Sequence, residues 1–307
     1  MLPHALRASV QAGSGGSVHA PLVFHGACPL PWSRPDVPAM GAAAELNTAG
    51  VSVQRGACGV AACAACLAEV LAGLDQMLAL PQTMAESARA EAQGADRHFI
   101  PFALAPAVGS GLLGDGSVAH RRDFALRVTQ AVEAVLRDAL SGDAGAALVD
   151  SLGTDAELRE LLAITSEPGA AAQDLHADGA WSDDDGARVV TMFVALHDVA
   201  DEAAGPTYFV PGTHAPRCFP DNCWRAPPAG GGGTREPVWY ELRAGDLVLM
   251  DSLTWHRGGA NASRVRRTLL CASFVGAAAP PCVAGSGAGK VPTKERWSIR
   301  ALLGTRM

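Results

Sequence analysis

"GDLVLMDSLTWHRGGANAS" (245–263) decides the fold. Its apolar core is short, rich in leucine and valine, and bounded by glycine, aspartate and asparagine, as a strand is. It ends at His256. Similar runs surround it: "RVVTMFVAL" (188–196), "PTYFVPG" (206–212), "VWYELRAG" (238–245) and "RTLLCASFV" (267–275). No long helical pattern separates them, so a parallel sheet with crossover helices is disfavoured. The expected class is mainly β with helices (α+β), an antiparallel barrel or jelly roll with helices packed outside.

Upstream, the character differs. "GVSVQRGA" (50–57) reads as a short strand. "LAEVLAGLDQMLAL" (67–80) continues a helix from about 59. In "HRRDFALRVTQAVEAVLRDAL" (120–140), Phe124, Val128, Val132 and Leu136 recur every four residues, the pattern of an amphipathic helix. "TDAELRELLAI" (154–164) opens with a capping box, Thr154 to Glu157, so a short helix is expected there too. This gives an Ala/Gly/Pro-rich segment over 1–50 and one domain over 51–275. The domain has a helical part over about 59–165 and a β core over about 170–275. A tail with a short helix follows over 276–307. "PPAGGGG" (227–233) reads as a loop.

The chain has 307 residues, 49% hydrophobic and 18% charged, enough for a substantial core. Its net charge of −7 and the lack of a basic stripe longer than "RVRR" (264–267) argue against a nucleic-acid partner. No apolar run reaches the length of a membrane span. Eight cysteines without a secretory signal suggest free thiols in a reducing compartment. A cytoplasmic protein is expected, with organelle targeting left open because residues 1–35 contain no acidic residue. Oligomeric state is not legible.

Two motifs are decoys. "CGVAACAAC" spaces Cys58, Cys63 and Cys66 like an iron–sulfur motif, but the next cysteine is Cys218. On a helix, Cys63 and Cys66 instead share a buried face. "GSGAGK" (285–290) lacks the first glycine and the final hydroxyl residue of a phosphate loop.

The chemistry sits in "AAQDLHADGAW" (171–181). His176 and Asp178 are two apart, so on an extended segment both point the same way. With His256 they make two imidazoles and one carboxylate, the facial triad of non-haem Fe(II) oxygenases, which leaves adjacent metal positions open. Beyond His256, Arg266 and Arg267 offer a planar fork for a carboxylate. They project to opposite faces of a strand, and parity alone does not choose between them.

With "QDLHAD" (173–178), "GPTYFVPGTH" (205–214), "AGDLVLMDSLTWHRGGANAS" (244–263) and "RRTLLCASF" (266–274), the chain resembles the phytanoyl-CoA dioxygenase family of Fe(II)/2-oxoglutarate oxygenases. The resemblance covers roughly 150–275. It implies a double-stranded β-helix, iron on His176, Asp178 and His256, and the 2-oxoglutarate carboxylate on Arg267. O2 is the other co-substrate. It also implies hydroxylation or desaturation of a small-molecule or lipid-like substrate, because Asp178 stands where halogenating relatives carry a small residue. The family often has serine two after the distal histidine, and here that residue is Gly258. Thr207, Thr268 and Gln173 are then candidates to assist Arg267 with the co-substrate, and Trp181 and Trp255 to line the substrate pocket. His214 of "PGTH" is expected to be structural. The alternatives are a β-helix binding protein without turnover and, behind it, a zinc hydrolase.

Overall fold

The computed structural model describes residues 40–79, 95–100, 112–114, 121–178, 188–214, 236–276 and 297–304. Among the described residues, five helices run in chain order: α1 (Ala42–Ala49), α2 (Val60–Leu78), α3 (Gln130–Ser141), α4 (Asp143–Leu152) and α5 (Ile299–Leu302). The strands are β1 (Val51–Gln54), β2 (Ala95–Ile100), β3 (Leu112–Gly114), β4 (Arg121–Ala125), β5 (Glu157–Ser166), β6 (Val189–Ala195), β7 (Thr207–Phe209), β8 (Val238–Trp239), β9 (Leu247–Asp251), β10 (His256–Gly258) and β11 (Arg267–Val275).

The main sheet has the order β1-β9-β6-β11-β5-β4-β2-β3, and a smaller one runs β10-β7-β8. All pairings are antiparallel except β2 with β4. This is the expected double-stranded β-helix with helices outside.

Alternation along each central strand explains why the main sheet is apolar on both faces. On β11, Leu270, Ala272 and Phe274 join Leu74, Leu136 and Leu148 of the helices in one core. Leu269 and Cys271 turn the other way, to meet Phe193, Val248 and Phe209 between the sheets. The metal-side chemistry described below belongs to this second, inter-sheet side.

Two expected helices are corrected. Residues 157–166 form β5, a central strand between β4 and β11, not a helix after a capping box. Thr154 Oγ1 accepts from Arg300 Nη2 at 3.0 Å. Leu158, Leu161, Leu162, Ala163, Thr165 and Ser166 are buried, drawn from both faces of the strand. A local helical preference of a few tenths of a kcal/mol per residue yields to that two-sided burial. Likewise, only the second half of 120–140 is helical. Phe124 lies in β4, and Thr129 caps α3 by accepting from the Val132 N–H at 3.3 Å. The sheet therefore draws strands from the part of the chain read as helical. The segment 1–39, the glycine-rich loop and "GSGAGK" lie outside the described residues.

Cys63 and Cys66 fall on α2 and are fully buried in the helix-side core, as the periodicity requires. Burial pushes the Cys66 thiol up to about 12. Cys58, Cys63, Cys66 and Cys271 are free thiols. Among the described residues, no helix is long and apolar enough to cross a membrane.

Candidate metal centre

The segment that carries His176 runs alongside β10. His176 N–H donates to the His256 carbonyl at 2.9 Å, and His256 N–H donates back at 2.7 Å. Asp178 N–H donates to the Ser252 carbonyl at 2.9 Å. Backbone pairing thus brings together side chains 80 positions apart in sequence.

The three side chains converge. Asp178 Oδ1 lies 3.9 Å from His176 Nε2 and 3.6 Å from His256 Nε2, and the imidazole centroids are 4.6 Å apart. One ligand atom from each lies within 4.8 Å of the others, the arrangement of a metal-holding group. The tautomers are set by local carbonyls. His176 Nδ1 sits 2.8 Å from the Asp174 carbonyl and His256 Nδ1 2.9 Å from that of Thr254. A carbonyl only accepts, so each Nδ1 carries the proton and each Nε2 offers its lone pair to the shared centre. The Asp178 side chain remains 32% exposed while His256 is buried, so the centre opens to one side.

Next to it is a cavity between the sheets, lined by Phe193, Pro206, Thr207, Phe209, Leu269 and Arg267 among others. Phe209 joins the two sites, because it also stacks on His256 at 6.5 Å between centroids. Arg267 is 1% exposed. Its Nη2 donates to the Gly205 carbonyl at 2.8 Å, while Nε and Nη1 find no partner among the described residues. Burial first, and the Arg121 cation second, push its guanidinium down to about 9. A buried cation with unsatisfied donors is costly unless an anion meets it. A carboxylate delivered into this cavity supplies that anion, so the residues present fit a 2-oxo acid that chelates metal at one end and carries a carboxylate at the other.

Arg266 faces the other way. It pairs with Asp75 and Glu167, each at 2.8 Å, and is removed from the co-substrate candidates. Thr268 shares its face. It is buried on the helix side, with its hydroxyl 3.3 Å from that of Thr165, and cannot assist Arg267. Its backbone N–H donates to His197 Nε2 at 2.9 Å, a neutral ring whose pKa burial lowers. Thr207 does line the cavity. Gln173 is adjacent to the triad: its Oε1 accepts from the Gly258 N–H at 3.1 Å.

Trp255 is corrected as a pocket candidate. It packs with Ala177, Val210 and Leu175, on the side of the chain opposite to the inward-facing His256. Trp181 lies outside the described residues. His214 Nε2 lies 3.1 Å from the Asn47 carbonyl near the end of α1.

Sequence reasoning missed Arg121 and Ser166. Both are buried on the cavity face of the main sheet, and Arg121 Nη2 donates to the Ala171 and Gly259 carbonyls at 2.6 Å each. A Cβ at Gly258 would run into Arg121 Nη1 and come within 2.8 Å of Gln173 Oε1. The ends of the Arg121 and Gln173 side chains fill the space beside this glycine.

A jelly-roll barrel holding two imidazoles and a carboxylate near a buried arginine defines a non-haem Fe(II)/2-oxoglutarate-dependent oxygenase. The phytanoyl-CoA dioxygenase (PhyH) family description matches residues 52–269, and the chain belongs to that family. No curated protein matches it by sequence. Among solved structures it is similar to the non-haem monooxygenase ThoJ, at 17% identity and a TM-score of 0.53, covering 80% of this chain and 79% of that one. It is also similar to SnoN, described as an α-ketoglutarate-dependent epimerase from nogalamycin biosynthesis. There the identity is 20% and the TM-score 0.49, over 83% of this chain and 92% of that one. HygX from Streptomyces hygroscopicus, solved with nickel, 2-oxoglutarate and hygromycin B, is 15% identical. Its TM-score is 0.46, over 76% of this chain and 85% of that one.

Proposed function

We propose that this oxygenase hydroxylates, or desaturates, a small organic or lipid-like molecule, with His176, Asp178 and His256 as the iron ligands and Arg267 as the anchor of 2-oxoglutarate. The observation that carries the reading is the buried Arg267 guanidinium, with two donor atoms that find no partner among the described residues, in a cavity that shares Phe209 with the triad.

The metal and co-substrate, when bound, supply the O2-dependent oxidation of an unactivated C–H bond, with release of succinate and CO2. The protein's part is orientation. His176, Asp178 and His256 would hold the metal, and three protein ligands would leave room for exchangeable ones. Arg267, with Thr207 beside it, fixes the far end of the 2-oxo acid. Phe193, Phe209 and Leu269 keep water from its methylene chain. Asp178 fills the carboxylate position, which supports hydroxylation over halogen transfer. No side chain is required as a general acid or base.

The partly exposed Asp178 side supports a substrate that enters from solvent. The free described cysteines support a reducing compartment such as the cytoplasm. The test is anaerobic addition of Fe(II) and 2-oxoglutarate to the purified chain. A weak visible metal-to-ligand band that requires both additions is expected, and its absence contradicts the assignment. Metabolite extracts screened for stimulated succinate release then identify the substrate class.

A further inference from the structure

One rung of the main sheet runs across β1, β9, β6, β11 and β5. Val51 is opposite Met250, Met250 opposite Thr191, Thr191 opposite Ser273, and Ser273 opposite Glu160. Directly opposed residues of antiparallel strands project to the same face. Val51 and Met250 pack into the core between the sheets, so Thr191, Ser273 and Glu160 face the barrel interior too.

The inward rungs that follow are Phe193, Cys271 and Leu162, then Ala195, Leu269 and Ile164, then Arg267 with Ser166 and Arg121. Ser273 and Arg267 are six positions apart on β11 (273 − 267), about 20 Å at the rise of a strand. The triad lies between these ends. Phe209 packs on Phe193 at 6.3 Å and on His256 at 6.5 Å between centroids, which sets the imidazoles level with the Phe193 rung. The Asp178 N–H donates to the Ser252 carbonyl, and the Ser252 N–H to that of Val189, two positions before Thr191. The partly exposed Asp178 is therefore on the Glu160 side of the centre, and Arg267 is on the other.

The rung is polar where its neighbours are apolar, and its hydroxyls form a directed chain. Ser273 Oγ donates to Glu160 Oε2 at 3.2 Å, because a carboxylate only accepts. That uses the single serine proton, so the 3.0 Å contact between Thr191 Oγ1 and Ser273 Oγ has threonine donating to serine. Both protons run towards Glu160. Thr191 and Ser273 are buried, and Glu160 is half-buried. The chain ends in an oriented carboxylate, and neither hydroxyl has a proton left for a ligand.

We propose that Glu160 is a substrate-binding residue: its carboxylate receives a protonated amine of the small-molecule substrate, on the side of the metal away from 2-oxoglutarate. An array that offers only acceptors selects a donor, and a cationic donor bonds to a carboxylate about twice as strongly as a neutral one. This rests on the reading of the triad and Arg267 given above, and narrows the substrate there to a small organic amine.

The test uses the full chain loaded anaerobically with Fe(II) and 2-oxoglutarate. It is titrated with butylamine, hexylamine and octylamine and, separately, with butanol, hexanol and octanol, following the change each makes in the visible metal-to-ligand band. The amines are expected to bind at least about tenfold tighter than the matching alcohols, the effect of one hydrogen bond to a charged group. Glu160→Gln keeps the shape and abolishes the preference, with Fe(II) and 2-oxoglutarate affinities within twofold of the unaltered chain. Ser273→Ala releases the carboxylate from its orientation and lowers the preference about threefold; it carries the test if the glutamine variant does not fold. Equal affinity for the two series, no response to either, or a preference that survives the substitution overturns the proposal. If the band forms and the amine preference is missing, only the role of Glu160 falls. If the band does not form in the unaltered chain, the reading of the triad and Arg267 falls, and this one with it.

Discussion

His176 and His256 are joined twice, once through reciprocal backbone hydrogen bonds and once through the centre their imidazoles share with Asp178. The backbone link does not depend on the rings. Side-chain and backbone contributions are therefore separable by mutation.

His176→Ala and His256→Ala should each reduce Fe(II) affinity by more than about 100-fold, beyond the loss expected from removing a mere orienting partner. The fold should survive, since both backbone hydrogen bonds remain. Fe(II) titration alongside thermal melting checks this. A variant that keeps iron affinity removes its histidine from the ligand set.

Gly258→Ala should displace the ends of the Arg121 and Gln173 side chains, because the new methyl meets Arg121 Nη1 and Gln173 Oε1. The displaced guanidinium loses its hold on the Ala171 and Gly259 carbonyls, a cost of about 1 kcal/mol or more. Urea unfolding measures the difference. A stability equal to that of the unaltered chain would show that these two hydrogen bonds survive the substitution or contribute nothing.

Cys58, Cys63 and Cys66 should bind no iron–sulfur cluster. Cys63 and Cys66 are fully buried on α2 among Val70, Leu74 and the helix-side core, and Cys66 is held protonated at neutral pH. Acid-labile sulfide in stoichiometric amount in purified protein would overturn this.

The triad was legible in the sequence because its grammar is local. A period of two puts His176 and Asp178 on one side, and an apolar strand delivers His256. The strand parity of 266–274 was legible as well, and it carries a corollary. Once Arg267 faces the cavity, Thr268 must face away, as it does. The rung of Arg121 and Ser166 was not legible, because both lie at the ends of segments whose local pattern is helical. What makes β5 a strand is its pairing with β11, which begins about 100 residues downstream, and β4 in turn pairs with β5, so no window on the sequence contains the set. The side on which Trp255 packs was ambiguous for a related reason. Adjacency to a ligand says nothing of direction until the strand is placed between its neighbours.

The central claim is that Arg267 receives the far carboxylate of 2-oxoglutarate beside an iron held by His176, Asp178 and His256. The most direct measurement is the anaerobic 2-oxoglutarate affinity of Fe(II)-loaded Arg267→Ala and Arg266→Ala. Losing a buried charge-assisted contact costs on the order of 2–5 kcal/mol, so Arg267→Ala should weaken binding by at least about thirtyfold while iron still binds. Arg266→Ala removes only partly exposed ion pairs with Asp75 and Glu167, and should change the constant by no more than a few-fold. A large loss in Arg266→Ala with none in Arg267→Ala, or no loss in either, would contradict the account.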